Sequence, residues 1–491
     1  MKLNYKKTIL VGFAFFLISA FWQAYDAIVP LILTNHFGLL QSVSGAIMSL
    51  DNVIAVFMLP LFGAVSDKIC SRYGKRTPFV FVGTILAIVL FIALAFVDSA
   101  QVSNISGLGL EEMYANAAAL RESAYELKDA GKVAEGEALL AQADAAFESI
   151  RATTYSVTAE NMGWLIGFIA TLLFLLIAMA TFRSPAVALM PDVTVKPLRS
   201  KGNAIINLMG TGGGIIALAL GIVFGTSKKL FNSYIGYVLA VVGVMAVGLI
   251  IFLATVKEKK WAREMEEDSE RYGLNEHAVA FDGQKRKLSR SEARSLLLIL
   301  ASVALWYIGY NSITSKYSVY ATNELNFDYG STLIIAQAAA IVSYIPVGII
   351  ASKIGRKKSI LAGIVILASA FFLGNFITPN SSELIMYPIF VLAGIGWATI
   401  NVNSFPMVVE LASGGDVGRY TGFYYTASMA AQIVAPILSG VLYDWFTMRV
   451  MFFAFGTVFV AASFVTMFFV KHGDSTPEAA GVLESMGNDN D

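Results

Sequence analysis

The sequence predicts an all-helical membrane protein, with about twelve spanning helices arranged as two related halves, and two observations carry that prediction. The first is composition. Of 491 residues, 56% are hydrophobic and only 14% charged, and the mean hydropathy is +0.66, whereas a soluble domain is about 45–50% apolar and about 25% charged. The second is an echo. A charged, glycine-marked stretch from Gly63 to Pro78, containing Asp67, Lys68, Arg72, Gly74, Lys75 and Arg76, lies between two apolar runs. A worn copy with Gly348, Ser352, Lys353, Gly355, Arg356, Lys357 and Lys358 lies between two others.

The apolar runs fall at 8–34, 43–65, 77–97, 161–190, 203–226 and 232–256, then at 294–322, 331–351, 358–378, 384–411, 418–443 and 450–470. A spanning helix needs about 20 apolar residues, and only helices satisfy every backbone group within the segment, so barrel strands are excluded by run length. Four parts follow: a first six-helix half, 1–256; a linker, 257–293; a second half, 294–471; and a polar, acidic tail, 472–491. The first run is too long for a signal-peptide core and is expected to be retained. Between the third and fourth runs a polar insert, 98–160, repeats Leu110, Met113, Ala117, Leu120, Ala124 and Leu127 at helical spacing. Val133, Leu140, Ala143, Phe147 and Ile150 follow, with a turn at Asp129 to Lys132. That pattern predicts a helical hairpin, which could cap the outer mouth of a path between the spans, dock a partner or serve as a solvated tether.

Formal net charge is zero, so orientation rests on where the charges lie. Lys2, Lys6 and Lys7, then Lys68 to Arg76, Lys196 to Lys201, Lys257 to Lys287 and Lys353 to Lys358 all fall on one side if the spans alternate. The positive-inside rule makes that side the cytoplasm, with both termini in it and the insert outside. The chain is then a multi-pass protein of the plasma (cytoplasmic) membrane. Cys70 is the single cysteine, which removes an intramolecular disulfide or a cysteine metal site. No phosphate-binding loop appears, and His36, His277 and His472 are scattered. No metal, cofactor, nucleic-acid partner or enzymatic activity is expected, and the chain is expected to work as a monomer.

The halves share more than the loop. Phe21, Trp22, Tyr25, Asp26 and Ala27 stand in the same frame as Trp306, Tyr307, Tyr310, Asn311 and Ser312, and Gly63 stands in that frame opposite Gly348. Pro191, Asp192 and Arg199 correspond, in a shifted frame, to Val409, Glu410 and Arg419. A charged glycine turn in both halves resembles the signature loop of the major facilitator superfamily. The form Ser66-Asp67 with Ser71, Arg72, Gly74, Lys75, Arg76, Thr77 and Pro78, and the stretch Arg183, Pro185, Pro191, Asp192, Arg199, Asn203 and Asn207, resemble the bacterial sucrose/proton symporter-like branch. That branch is related to the glycoside-pentoside-hexuronide cation symporters. The resemblance covers the chain except for 98–160.

The resemblance implies secondary active transport, with proton-coupled symport of a di- or oligosaccharide or glycoside as the expected activity. Two departures matter. Sodium-coupled relatives carry two aspartates in the second span, where this chain has Ala55 and Leu59; plant sucrose carriers carry one in the fourth, where it has Leu176. The ionisable residues left inside the spans are Asp26, Asp51, Arg183 and Lys316, costly in lipid and so candidates for function. Asp26, Asp51 and Arg183 are proton-coupling candidates, the alternative being polar helix contacts. By family position, Trp22, Tyr25, Trp306, Tyr307, Tyr310, Tyr424 and Tyr425 would line a central cavity and stack on sugar rings. Gln23, Asn311, Gln337, Asn401, Asn403 and Gln432 would bond hydroxyls. Gly63, Asp67, Arg72, Lys75, Arg76, Asp192, Arg199, Glu410 and Arg419 are gate candidates, Gly63 by allowing close helix approach and the charges by latching the cytoplasmic side. Two alternatives stay open: an exporter of apolar drugs or metabolites, and a non-transporting sugar receptor.

Overall fold

The computed structural model describes residues 3–69, 71–195, 198–272, 289–411 and 417–473. Cys70, residues 273–288 of the expected linker and the tail beyond 473 lie outside the described residues. In the first half α1 is Tyr5–Leu31, α2 Gln41–Met48, α3 Leu50–Lys68 and α4 Thr77–Ile105; the insert supplies α5, Leu110–Asp129, and α6, Val133–Glu160; then come α7, Met162–Asp192, α8, Arg199–Phe224, and α9, Ile235–Thr255. A short α10, Glu258–Arg271, belongs to the linker. The second half has α11, Arg290–Thr314, α12, Tyr317–Val319, α13, Tyr329–Ile354, α14, Arg356–Gly374, α15, Met386–Val409, α16, Val417–Phe446, and α17, Met448–Phe468. Eleven spans, with α2 and α3 forming one, are long and apolar enough to cross a membrane among the described residues. The twelfth is α13, whose apolar described stretch is Tyr329–Tyr344.

Helix packing repeats between the halves. The pairs α1 with α8, α4 with α7, α3 with α7, α1 with α9 and α4 with α9 recur as α11 with α16, α14 with α15, α13 with α15, α11 with α17 and α14 with α17. The halves meet along α2 on α16 and α8 on α13, two contacts related by the same exchange. Symmetry extends to one side-chain pair. Single π-helical turns follow the first and seventh spans, Ile32–His36 and Tyr320–Glu324. From them Asn35 and Asn323 exchange reciprocal amide hydrogen bonds of 3.2 and 2.8 Å across the interface.

Two expected spans are broken. The run 43–65 is interrupted at Ser49, whose hydroxyl donates to the Ala46 carbonyl at 2.8 Å. The run 294–322 is interrupted after Thr314, where Ser315 donates to Asn311 O at 2.6 Å. Hydroxyls that bond back to their own helix compete with the backbone ladder and bend it. Both breaks lie at the hairpin-side end of the bundle, and there the halves are sealed together. The Asp444 carboxylate accepts from Gln41 N and Ser42 N, both at 2.8 Å, which caps α2 from α16. Fully buried Lys316 donates to Ser44 Oγ at 2.7 Å. Gly45 lies against the Pro436 carbonyl, and Gly440 against the Gln41 carbonyl, so closely that a Cβ at either would clash.

The insert is the expected hairpin. Its turn carries Gly131 at φ +81°, and Leu110, Ala117 and Ala124 face Leu140, Ala143 and Ile150 across a buried seam. Met113 and Val133, in the same apolar pattern, are exposed. Buried Arg121 lies in the seam, its guanidinium 4.0 Å from the Phe147 ring centre. Burial pushes the Tyr114 phenol up, only partly offset by Arg121, so the phenol is a neutral donor. At the same end His36, on the first π turn, is fully buried with Asp98. Nδ1 lies 2.5 Å from the carboxylate and Nε2 3.0 Å from Leu230 O, with the ring stacked on Tyr234.

Candidate functional site

A cavity of about 1590 Å³ lies between the halves. Its floor is on the hairpin side, and it reaches the loop-side ends of α7 and α8 at Met190, Pro191, Arg199 and Asn203. The first half contributes Trp22, Gln23, Asp26, Asn52, Arg183 and Asn207 to its wall. The second contributes Tyr307, Tyr310, Asn311, Gln337, Trp397, Asn401, Tyr425 and Gln432.

Most of the expected lining residues are therefore brought together, but four are not, the first being Trp306, which is fully buried in the second half. Tyr25 is fully buried, with its ring stacked on Phe21 at 6.0 Å. Asn403 is buried and spends its amide on Thr399 O at 2.9 Å. Tyr424 is buried with its hydroxyl 3.0 Å from Ser404 Oγ. Each is turned away by helical phase, about 100° per residue, while Asp26, Asn401 and Tyr425 in the same helices face the cavity. The expected set also lacks Trp397. Its ring lies parallel to Tyr310 at 3.6 Å and edge-on to Tyr307 at 5.3 Å, forming an aromatic platform in the second half. The sequence signal for it is a tryptophan four residues before Asn401, hence on the same helix face.

Polar groups in the wall are arranged as acceptors and unpaired donors. Asn311 Nδ2 donates to Tyr307 O at 2.8 Å and Gln432 Nε2 to Ser428 O at 3.3 Å, so each amide spends a donor on its own helix and turns its oxygen to other use. Trp22 Nε1 and Asn207 Nδ2 have no hydrogen-bond partner among the described residues. Gln337 Nε2 donates to Gln23 Oε1 at 2.6 Å, joining the halves across the cavity. Buried polar groups are normally paired, so unspent ones in a cavity wall suit a ligand rich in hydroxyls.

The charged groups gather at the sealed end. A smaller recess of about 210 Å³ is lined by Trp22, Asp26, Asp51, Asn52, Arg183, Asn311, Thr314 and Gln432, most of them shared with the main cavity. Asp51 accepts from Asn52 N at 2.5 Å and Asn52 Nδ2 at 2.6 Å. Arg183 lies 5.7 Å from the Trp22 ring centre. The Asp26 carboxylate faces the cavity with no hydrogen-bond or ion-pair partner among the described residues.

At the opposite end the gate candidates fall into two clusters, one in each half. Arg76 donates to Asp67 at 2.5 Å and Asp192 at 2.7 Å and also bonds Ser66 Oγ, tying α3 and α7 to the loop. A Cβ at Gly63 would lie 2.9 Å from Ser184 Oγ, so this glycine sets how closely α3 approaches α7. In the second half Glu410 pairs with Arg356. Arg199 donates to Thr194 O at 3.2 Å and Arg419 lies over Phe423 at 5.3 Å; neither forms the ion pair that its spacing from Asp192 or Glu410 would suggest. Arg72 packs on Tyr73 at 4.6 Å. Lys75 acts through its backbone, donating at 2.6 Å to Glu258 of α10, a residue of the linker to which the sequence assigns no role.

The family model described as Major Facilitator Superfamily matches residues 150–343 and 327–485. The chain belongs to the major facilitator superfamily. A second model, described as MFS/sugar transport protein, matches residues 10–110. Among curated proteins, the MFS-type transporter ppzB of Metarhizium rileyi is 28% identical over 117 residues, a match spanning 24% of each chain. Among solved structures, the inward-open xylose transporter XylE from E. coli aligns at TM-score 0.60 and 12% identity over 98% of this chain and 99% of its own. A POT family transporter in complex with 5-aminolevulinic acid aligns at 0.62 and 12% over 95% and 96%. The nucleoside transporter NupG aligns at 0.51 and 15% over 95% and 99%. At such identities the solved structures show the superfamily fold alone.

Proposed function

We propose that this protein is a secondary transporter that carries a di- or oligosaccharide, or a related glycoside, by alternating access and couples it to protons through Asp26. The observation that carries the reading is the cavity wall. Neutral amides from both halves alternate with Trp22 on one side and the Tyr310–Trp397 platform on the other. Rings stack on the apolar faces of sugars while amides exchange hydrogen bonds with hydroxyls. The match of residues 10–110 to a sugar transport model supports the same class.

Coupling follows from the charges in the recess. Two carboxylates, Asp26 and Asp51, and one guanidinium, Arg183, line it together. When the cavity is open, water stabilises the unpaired carboxylate. When it closes over cargo that water is lost, and a lone charge in the bundle must find a counter-ion or take a proton. Asp26, without a partner among the described residues, is the group that takes it. The signature-loop side is the cytoplasmic side in this reading, and the state described is open toward it.

The test uses purified protein in sealed vesicles. After a thermal-shift screen of mono- to trisaccharides has found a ligand, an inward pH gradient should drive accumulation of that labelled sugar. Asp26→Asn should abolish accumulation yet keep counterflow exchange. A sugar that binds but never accumulates under a gradient would refute symport, and an unchanged pH dependence in Asp26→Asn would remove that residue from the account.

A further inference from the structure

The insert begins and ends in the first half, at Ile105 of α4 and Met162 of α7, and bonds it through Glu111, Arg151 and Thr158, yet it also makes several charged contacts with the second. Arg121 Nη1 donates to Asn323 O at 2.8 Å and lies 3.0 Å from the Glu324 carboxylate. Tyr114 donates to Thr322 O at 3.0 Å. Asp144 of α6 accepts both arms of Arg449, at the start of α17, at 3.0 and 3.2 Å, and faces Arg121 at 3.5 Å. These partners surround the second π turn, whose Asn323 makes the symmetric contact with Asn35. The contacts lie on the sealed side, and they join groups that must separate for that side to open.

We infer that the α5–α6 hairpin is a strap that fastens the outer ends of the two halves in the state closed toward the hairpin, and that its release from Arg449, Asn323 and Glu324 is a required step in opening that side. The geometry distinguishes a strap from a tether. A tether would touch only the half that carries it, whereas Arg121 is buried against backbone carbonyls of the other half and Asp144 is held by a two-armed arginine from it. Charge-assisted, two-armed bonds in a partly buried setting hold more strongly than exposed pairs. The exposed pair Lys132–Glu135 beside the hairpin turn serves as a contrast, since it lies within the insert. The inference uses alternating access from the proposed function but needs neither the cargo nor the coupling ion.

The experiment is labelling of full-length protein, in vesicles that present the hairpin outward, by a membrane-impermeant maleimide. A Cys70→Ser background carries Thr314→Cys as reporter, a residue at the junction of the two cavities. Arg449→Ala should speed labelling from the hairpin side about tenfold without substrate, Arg121→Ala should act in the same direction, and Arg449→Lys should recover part of the slow rate. Lys132→Ala should change nothing. Equal labelling rates in the parent, Arg449→Ala and Arg121→Ala proteins would overturn the strap. Since Arg449→Ala removes only one of several ties, its folding is checked by unchanged labelling from the loop side. Absent sugar accumulation in the transport assay would leave this readout intact, so the two proposals fail separately.

Discussion

Removing the carboxylate of Glu258 should unfasten the signature loop. Glu258, 3% exposed at the start of α10, accepts from Lys75 N at 2.6 Å, Arg76 N at 2.9 Å, Thr77 N at 2.7 Å and Thr77 Oγ1 at 2.7 Å. Three of these donors are backbone N–H groups at the N-terminus of α4, which has no side-chain cap of its own. Gly74, at φ +123°, brings the chain so close that a Cβ there would strike the carboxylate. A lost N-cap costs about 1 kcal/mol, and the charge facing the helix dipole about 0.3–1 kcal/mol more. Burial and the additional bond from the Thr77 hydroxyl add about another 1 kcal/mol. The sum, about 3 kcal/mol, corresponds to roughly a hundredfold rise in local opening. Hydrogen exchange of the full-length protein in a lipid bilayer measures it directly. Glu258→Ala should lose protection across residues 74–80 by roughly that factor, Glu258→Gln by less, and residues 84–94 in mid-α4 should be unaffected. Equal protection of 74–80 in Glu258→Ala and wild type would refute the cap and return α10 to the status of a spacer.

Two other changes test the seal and the cavity. Gly45→Val places a branched side chain against the Pro436 carbonyl, so the hairpin side should fail to close and the Thr314→Cys reporter should label faster from that side; unchanged labelling would mean that α2 and α16 do not close by backbone contact. Trp397→Ala should weaken binding of the saccharide found in the screen about tenfold, through lost ring contact. Tyr424→Phe, away from the cavity, should leave affinity unchanged, and isothermal titration separates the two.

Much of the fold is legible because lipid imposes a single rule, a continuous apolar run of fixed length. Run length places most spanning helices within a few residues, though it ends the third at 97 where α4 continues to Ile105, and the frame shared by Trp22 and Tyr307, Asp26 and Asn311, Gly63 and Gly348 announces the repeat that the helix packing then obeys. The breaks at Ser49 and Ser315 are not legible, since serine in an apolar run is ordinary and only the chain's path toward the other half makes its back-bond a hinge. The site is legible by helix but not by phase. The neighbours Tyr424 and Tyr425, Tyr25 and Asp26, and the near neighbours Asn401 and Asn403 differ in facing, and a helix apolar on nearly all sides gives no moment to choose between them.

The charges show a different limit. Symmetry predicts that the carboxylates ending the fourth and tenth spans do equivalent work, and they do: Asp192 and Glu410 each hold an arginine of the preceding signature turn. The arginines themselves, Arg76 and Arg356, do not occupy matching frames, because the second turn is shorter. What the halves do not share is the second carboxylate, Asp67 on Arg76, and the capping carboxylate, Glu258 on the adjoining backbone. The first-half loop is tied to α3, α7 and α10 at once, which makes it the stiffer of the two. A rocking motion about the cavity would then be taken up more by the α13–α14 turn, so exchange protection at residues 353–358 should fall below that at residues 71–77.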